Sequence, residues 1–545
     1  MRRWFRRLLW AFLWIVIALL VAVLTLREYI DWSGKHEWAE TQAMLARDGE
    51  SLDFRKIAPD PVPDDQNFCA IPALKDLSVI PQDADPNSLQ GRQLQRLVDA
   101  AIPDGSRGSL KGMKPGGSID DQFNRVMQLE AGHAYKVPRP RITDGILLGK
   151  PTDMTAWAAW LRGEGSWPMP HDSGNPARDI LTGLSRNGAL VSDLVLGLNR
   201  PESQWTPPWR TRGLPAPLFA FNLSAQNAIR GFLQMLCLRS TAAARAGDVA
   251  TAHQSLLIAM RLFQADMDEP FLIGSLLACA DASCTSSAAW ELCDAHSGSV
   301  DDFRILQDAL SQIDFQTSLL RAERGEIALN LANKAKIESQ GRALVSNFFI
   351  ERGDDKPTPA VASRVVPNGL LDSNTAILDR WRYDYSIEPL RDSDFETLLA
   401  KRNELNALIT EHRKQPFFMH FDELIAQIAM PADSGVINNV VYAQCLVNEA
   451  IAACALERYR IEHGTYPDSL AEANHPGEKP IPLDVISGKP MGYRNTPNGK
   501  YALWCVGFDG KDDGGKRVLD AKVPNITRFS DPAYIGDWVW DFPAK

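Results

Sequence analysis

Residues 436–470 read VINNVVYAQCLVNEAIAACALERYRIEHGTYPDSL, and this stretch indicates how the C-terminal part of the chain folds. Val, Ala, Leu and Cys dominate one side of residues 436–462, a pattern that predicts one long helix. Gly464 follows, and glycine suits the left-handed conformation that commonly ends helices. Pro416 and Pro431 are predicted to interrupt the helices that precede this one.

Two short strands are predicted after the helix. Residues 491–495 and 501–506 carry strand-like patterns, and Asn498-Gly499 between them is a strong signal for a hairpin turn. We therefore expect residues 434–545 to form a small α+β head with a long helix and an antiparallel hairpin.

Four phrases in this region follow the order seen in type II secretion major pseudopilins. They are ALERYRIEHGTYPDSL at 455–470, IPLDVISGKPMGYRN at 481–495, YALWCVGFDGKDDGG at 501–515 and IGDW at 535–538. The region from about 437 to 541 therefore resembles the globular head of those proteins. The N-terminus departs from the family, since it has neither the short leader ending in Gly nor a Glu early in the apolar segment. Polymerisation into a pilus is not expected.

The resemblance implies a calcium site, because a loop after the last strands of major pseudopilins binds calcium. The carbonyl of Val506 and the carboxylate of Asp509 match the first half of that loop. Asp531 or Asp537 is the candidate for the closing ligand.

The loop residues also suit a hard cation on their own chemistry. Asp509, Asp512 and Asp513 place three carboxylates within five residues, and calcium prefers oxygen ligands in a flexible geometry. Nearby glycines allow the backbone to present carbonyl groups. The alternative is a solvated turn of Asp and Gly without a metal.

Nucleotides and nucleic acids are not expected as partners. Residues 510–517, GKDDGGKR, nearly match the phosphate-binding pattern G-x-x-x-x-G-K-[ST], but Arg517 replaces the hydroxyl and two Asp would repel phosphates. The whole chain carries 58 Lys and Arg against 68 Asp and Glu, a net charge of -10. Nucleic-acid binding requires a basic surface.

The N-terminal segment is predicted to anchor the chain in a membrane. Leu8 to Leu26 are 19 residues without a charge, and as a helix they would span about 28 Å, close to the thickness of a bilayer core. Arginines precede the segment at positions 2, 3, 6 and 7, and the positive-inside rule then holds the N-terminus in the cytoplasm.

A cleaved signal peptide is the alternative, but the apolar run is long and residues 23–26 offer no small-residue cleavage site. We therefore expect a single-pass protein of the inner (cytoplasmic) membrane, with most of the chain extracytoplasmic or periplasmic.

The fold class predicted for the whole chain is mainly α. Residues 1–30 form the cytoplasmic tip and transmembrane anchor, 31–140 a linker with short helices, and 141–430 a large α-helical extracytoplasmic body. Within that body, the turn at residues 246–252 and the helix after it resemble the second helix of one tetratricopeptide unit, without a repeat.

No catalytic framework is apparent in the sequence, and the expectation is that the protein is not an enzyme. His412 and His420 are eight residues apart on a predicted helical stretch, so two turns would separate them, too far for one metal ion. The eight cysteines have no zinc-like spacing and are interpreted as scattered core residues.

Three functions remain open from the sequence. The first is a structural or interaction protein of the cell envelope, with protein partners there. The second is an accessory component of a type II secretion or pilus-like machine. The third is an envelope hydrolase with a site in the Trp- and Pro-rich residues 150–222, where His171 and Asp172 lie in a predicted loop.

Overall fold

A computed structural model gives the fold. It describes residues 2–77, 88–102, 139–165, 167–206, 223–340, 367–392, 394–416, 420–517 and 536–542. The described chain is mainly helical with a small C-terminal antiparallel sheet, which confirms the predicted fold class at this level.

The helices have the following bounds: α1 (Arg2–Arg47), α2 (Phe54–Ile57), α3 (Leu89–Ala100), α4 (Asp144–Leu148), α5 (Met154–Glu164), α6 (Pro176–Leu184), α7 (Gly188–Gly197), α8 (Leu223–Ala246), α9 (Val249–Asp266), α10 (Leu272–Asp294), α11 (Val300–Leu310), α12 (Phe315–Gln340), α13 (Asn368–Arg382), α14 (Glu388–Asp392), α15 (Phe395–His412) and α16 (Leu424–His463). A π-helical turn, Tyr383–Ile387, joins α13 to α14. The strands are β1 (Gly492–Asn495), β2 (Tyr501–Cys505) and β3 (Trp538–Asp541).

The chain divides into two compact units. The anchor unit takes its described residues from Met1–Ile57 and Glu323–Gly435. The head unit takes its described residues from Ala58–Gly213, Phe221–Ala322 and Val436–Lys545. The sequence-based scheme set residues 434–545 apart from the helical body, whereas here they cluster with the earlier helices of the head unit.

Contacts across the head unit show the physical reason for this clustering. The indole of Trp290 on α10 donates a hydrogen bond to the Asp541 carbonyl at 3.1 Å and stacks on Phe542. Lys500 donates to the Asp294 carboxylate at 2.7 Å. Aromatic stacking and a charged hydrogen bond therefore join the sheet to α10.

α1 contains an apolar segment long enough to span a membrane. Its most apolar window, within Trp10–Arg47, has no buried residue, as expected of a surface that contacts lipid. α10 and the helical stretch Phe421–His463 also qualify by length and composition, but 72% and 83% of their windows are buried inside the structure. These two are therefore core helices by burial.

The second half of α1 packs on α13 within the anchor unit. A Cβ placed on Gly34 would lie 1.9 Å from the Gly369 carbonyl oxygen, so the two backbones touch. Asp31 accepts a hydrogen bond from the Gly369 amide at 2.7 Å, and Trp38 is buried. The helix with the apolar span is thus continuous with a folded unit.

Buried ion pairs join three helices of the anchor unit. Arg382 on α13 donates to Glu323 on α12 at 2.9 Å and to Asp433 on α16 at 2.5 Å, and all three side chains are buried. Burial raises the pKa of the Glu323 carboxyl, and the Arg382 guanidinium opposes this rise by favouring the charged form. Removing one member of such a buried group typically costs about 3–5 kcal/mol, since it leaves a charge unpaired.

α16 begins at Leu424, well before the predicted start at Val436, and Pro431 lies inside it. The prediction that Pro431 interrupts the helices was wrong. A proline cannot donate to the carbonyl four residues earlier, here that of Gln427. The guanidinium of Arg413 donates to that carbonyl instead, so the helix continues.

His412 and His420 were predicted to lie on one helical stretch, but they do not share a helix. α15 ends at His412, and His420 precedes the 3-10 turn Phe421–Glu423 that leads into α16. Their rings nevertheless stack, with centroids 4.3 Å apart. The prediction that two helical turns separate them was wrong.

The C-terminal sheet confirms the predicted antiparallel hairpin. β1 pairs with β2, with Asn495 opposite Tyr501, and Gly499 in the turn has φ 76°. β2 also pairs antiparallel with β3, with Cys505 opposite Trp538. This third strand was not predicted. β2 is the central strand of this sheet, and all five of its residues are buried.

We expect Gly34→Ala to destabilise the anchor unit. The added methyl group would meet the Gly369 backbone, which cannot rotate away as a side chain can, and overpacking of this kind costs about 1–3 kcal/mol or more. Unfolding of the full chain in detergent measures the effect.

Gly435→Ala is the matched control, because Gly435 lies in α16 and, in the described chain, nothing lies within 4 Å of the place that an alanine Cβ would take. Alanine there should be neutral or stabilise by about 0.5–1 kcal/mol, since it favours the helix. Equal stability of the Gly34→Ala variant and the wild type would contradict the close packing of α1.

Candidate functional site

A buried carboxylate organises the end of α16 in the head unit. Glu457 is fully buried, and the Tyr466 hydroxyl donates to it. Arg460 donates to the same carboxylate at 3.0 Å, and His296 Nδ1 lies 3.1 Å from it. The phrase 455–470 thus contains both the carboxylate and the tyrosine that turns back to satisfy it.

The loop after α16 is tied to β1 through one carbonyl group. The Pro467 oxygen accepts hydrogen bonds from the Tyr493 hydroxyl and the Asn495 amide, both at 2.9 Å. Two donors from one strand fix the position of this loop relative to the sheet.

Asp484 connects its own loop to the end of β2. Its Oδ2 accepts a hydrogen bond from the Val506 amide at 2.8 Å, and its Oδ1 accepts from the amides of Ile486 and Ser487 at 2.8 and 3.3 Å. The side chain is buried. Asp484 was not predicted from the sequence to have a role, yet it positions the start of the predicted cation loop.

The predicted calcium ligands Asp509 and Asp512 are held separately. Asp509 Oδ1 accepts from the Lys511 amide at 3.2 Å, and its Oδ2 lies 3.9 Å from the Lys511 ammonium. Asp512 Oδ1 accepts from the Trp504 indole at 2.9 Å and from the Gly514 amide at 2.8 Å. Each carboxylate therefore already has its own donors.

The predicted ligands Asp513 and Asp537 are brought together through the backbone. The Asp513 amide donates to Asp537 Oδ1 at 3.2 Å, and the Gly515 amide donates to Oδ2 at 2.7 Å. Burial raises the pKa of the Asp537 carboxyl, while these two amide donors oppose the shift. Asp537 thus closes the loop by accepting amide hydrogen bonds.

The described residues do not by themselves make a calcium site. The donor set is all oxygen, as calcium prefers. However, within the described chain no three of these carboxylates have ligand atoms within 4.8 Å of one another. Asp531, the other candidate closing ligand, lies outside the described residues. The calcium site therefore stays a prediction.

No family model matches this chain, and no curated protein or solved structure matches it either. The resemblance to the major pseudopilins therefore rests on the four phrases alone and stays a prediction.

The head unit contains a group that the sequence analysis missed. Cys445 and Glu449 on α16 and Cys505 on β2 have ligand atoms within 4.8 Å of one another, and all three are buried. Glu449 Oε1 has no hydrogen-bond partner among the described residues. Burial raises the pKa of Glu449 well above its ordinary value, with Arg517 opposing and Asp484 adding to the shift. The spacing of four residues places Cys445 and Glu449 on one helix face, but only the fold brings Cys505 to them.

A basic cavity lies elsewhere in the head unit. It has a volume of about 510 Å³, and its lining includes Arg139, Arg141, Arg230, Asn439 and Tyr442 but, within the described chain, no acidic residue. In a chain with a net charge of -10, such a cavity favours an anionic group on a partner or ligand.

The described part of residues 150–222 contains four buried tryptophans. Trp157, Trp160, Trp167 and Trp205 are buried, whereas His171 is exposed. The nearby Asp179 carboxylate accepts from Arg162 at 2.6 Å and from the Ser173 hydroxyl at 2.5 Å. These contacts account for the folding of this region, and the hydrolase hypothesis stays untested.

We expect Glu449→Gln to stabilise the protein at neutral pH. Because burial raises the folded-state pKa of Glu449, the carboxyl ionises more readily in the unfolded chain, where its ordinary pKa is about 4.3. The contribution of this carboxyl to stability is fully present below its pKa in the unfolded state. It is lost as the pH rises toward its pKa in the folded state. Glutamine does not ionise. The free energy of unfolding at pH 7 should therefore be roughly 1–3 kcal/mol higher for the variant than for the wild type.

The difference in free energy of unfolding between the Glu449→Gln variant and the wild type should shrink toward pH 4. Glu472→Gln, a substitution at an exposed residue, is the control that should show no such trend. Urea unfolding of the full chain across this pH range makes the measurement. Parallel pH profiles for the wild type and the Glu449→Gln variant would refute the assignment.

The calcium prediction is tested by melting the full chain with calcium and with a chelator. If the loop binds calcium, the wild type should melt at a higher temperature with calcium, because the ion binds the folded state in preference. Asp509→Asn should abolish the difference. Identical melting temperatures for the wild type in the two buffers would rule out the site.

Proposed function

We propose that this protein is a single-pass, membrane-anchored cell-envelope protein that acts through interactions rather than catalysis. The observation that carries the proposal is α1. One uninterrupted helix contains an apolar window with no buried residue and then the buried side chains of Trp38 and Leu45. A helix of this kind would anchor a folded unit directly at a bilayer surface.

The arginines before the apolar segment support an orientation with the N-terminus in the cytoplasm. In that orientation the head unit, and the part of the anchor unit that follows the apolar segment, lie outside the cytoplasm, in the periplasm if the membrane is the inner one.

The basic cavity of the head unit supports an interaction role, since it offers three arginines to acidic groups of an envelope partner. The pseudopilin-like phrases suggest one partner class, the components of a type II secretion or pilus-like machine. Co-purification of the full chain with pseudopilins or with an inner-membrane assembly platform is expected if that machine is the partner. Recovery of none of them would exclude this class.

The proposed topology is tested with cysteine labelling in cells. All eight native cysteines are buried, and burial raises the pKa of each thiol, so they should react poorly. A membrane-impermeant maleimide should label Lys511→Cys from outside the cytoplasmic membrane, because that side chain is 77% exposed.

Trp4→Cys is the matched control, since Trp4 is exposed at the cytoplasmic end of α1. It should be labelled only after the membrane is permeabilised. Labelling of Trp4→Cys but not Lys511→Cys in intact cells would reverse the topology. Release of the protein from membranes by alkaline carbonate would contradict the anchor itself.

A further inference from the structure

The junction between α15 and α16 brings two imidazoles and a carboxylate together in the anchor unit. His412 is the last residue of α15, and Glu423 ends the 3-10 turn before α16. His412 Nδ1 lies 2.6 Å from Glu423 Oε2, and His420 Nδ1 lies 3.5 Å from the same oxygen. The ligand atoms of the three side chains all lie within 4.8 Å of one another.

The three side chains are partly open to solvent. Their exposed fractions are 16–19%, so an ion from solution has access while most of each side chain is packed. Since the two rings stack nearly parallel, at 15°, the Nδ1 atoms face the carboxylate from the same side.

Neighbouring groups orient these side chains in the way that metal ligands are usually oriented. His420 Nε2 hydrogen bonds with the Gln415 amide oxygen at 3.0 Å. An amide oxygen only accepts, so this bond places the proton on Nε2 and leaves the Nδ1 lone pair toward Glu423. Gln427 donates to Glu423 Oε2 at 3.3 Å.

The support under the cluster is a packed apolar core. Trp381, Leu405, Ile409 and Met430 belong to one buried core formed by α13, α15 and α16. Asn374 on α13 accepts a hydrogen bond from the Ile425 amide at 2.8 Å, which fixes the start of α16. The ligand-bearing ends of both helices are therefore held in place by packed residues.

We propose that His412, His420 and Glu423 form a binding site for a divalent transition-metal ion, with zinc as the ion that suits the ligands best. Two imidazole nitrogens and one carboxylate oxygen are typical ligands of zinc sites that keep a fourth position open, whereas calcium prefers oxygen ligands alone. Zinc–ligand distances of about 2.0–2.2 Å in a tetrahedral site place the ligand atoms about 3.3–3.5 Å from one another. His420 Nδ1 already lies 3.5 Å from Glu423 Oε2, whereas His412 Nδ1, at 2.6 Å from that oxygen, would have to move away from it to admit the ion. The bound ion would link the end of α15 to the start of α16.

The test uses the full chain in detergent, stripped with a chelator and then titrated with zinc against a chromophoric competitor. The wild type should bind zinc and melt at a higher temperature with it. His420→Ala and Glu423→Gln should each weaken binding at least 100-fold and lose the zinc-dependent shift. Cobalt should give a visible ligand-field absorption in the wild type that both variants lack.

His36→Ala is the matched control, because His36 pairs with Glu40 at 3.3 Å in the same unit but belongs to no group of three potential ligands among the described residues. It should bind zinc like the wild type. Circular dichroism and zinc-free melting show whether each variant is folded, and Glu423→Gln retains the size of the side chain if His420→Ala does not fold. Unchanged zinc affinity in Glu423→Gln, or affinity lost only in Cys445→Ser, would overturn the proposal.

Discussion

The packing of the anchor unit depends on the buried guanidinium of Arg382. Its charge is removed from water, so it must be compensated by Glu323 and Asp433 on two other helices. Those pairs connect α12, α13 and α16 through one side chain. The contact of α1 with α13, and the junction of α15 with α16, both build on helices that this group holds together.

The sequence predicted the elements whose signals are local. The apolar span in α1, the helix up to His463 and the hairpin at Asn498-Gly499 each depend on neighbouring residues, and the structure contains all three elements. β3 was missed because its four residues become a strand only by pairing with β2. The early start of α16 was missed since Pro431 normally breaks a helix, and the compensating donor, Arg413, lies in the preceding segment.

For the candidate sites, too, the sequence showed residues that are close along the chain but not contacts that only the fold creates. The acidic loop was visible in the sequence because its carboxylates are close together along the chain, yet sequence proximity could not show that amide and indole donors occupy Asp512 and Asp537. His412 and His420 were assigned to one helix, so their convergence on Glu423 was hidden. Cys505 meets Cys445 and Glu449 only through the packing of the sheet on α16.

The burial of all eight thiols matters for the chain before it folds, when these thiols can still be oxidised. In the native protein no thiol is exposed to an oxidant. An unfolded chain with eight cysteines, in contrast, has on the order of a hundred complete disulfide pairings available to it. If the head unit folds outside the cytoplasm, as proposed, burial of the thiols must be faster than their oxidation. Folding rate, more than final stability, would then decide how much of the exported protein reaches its native state.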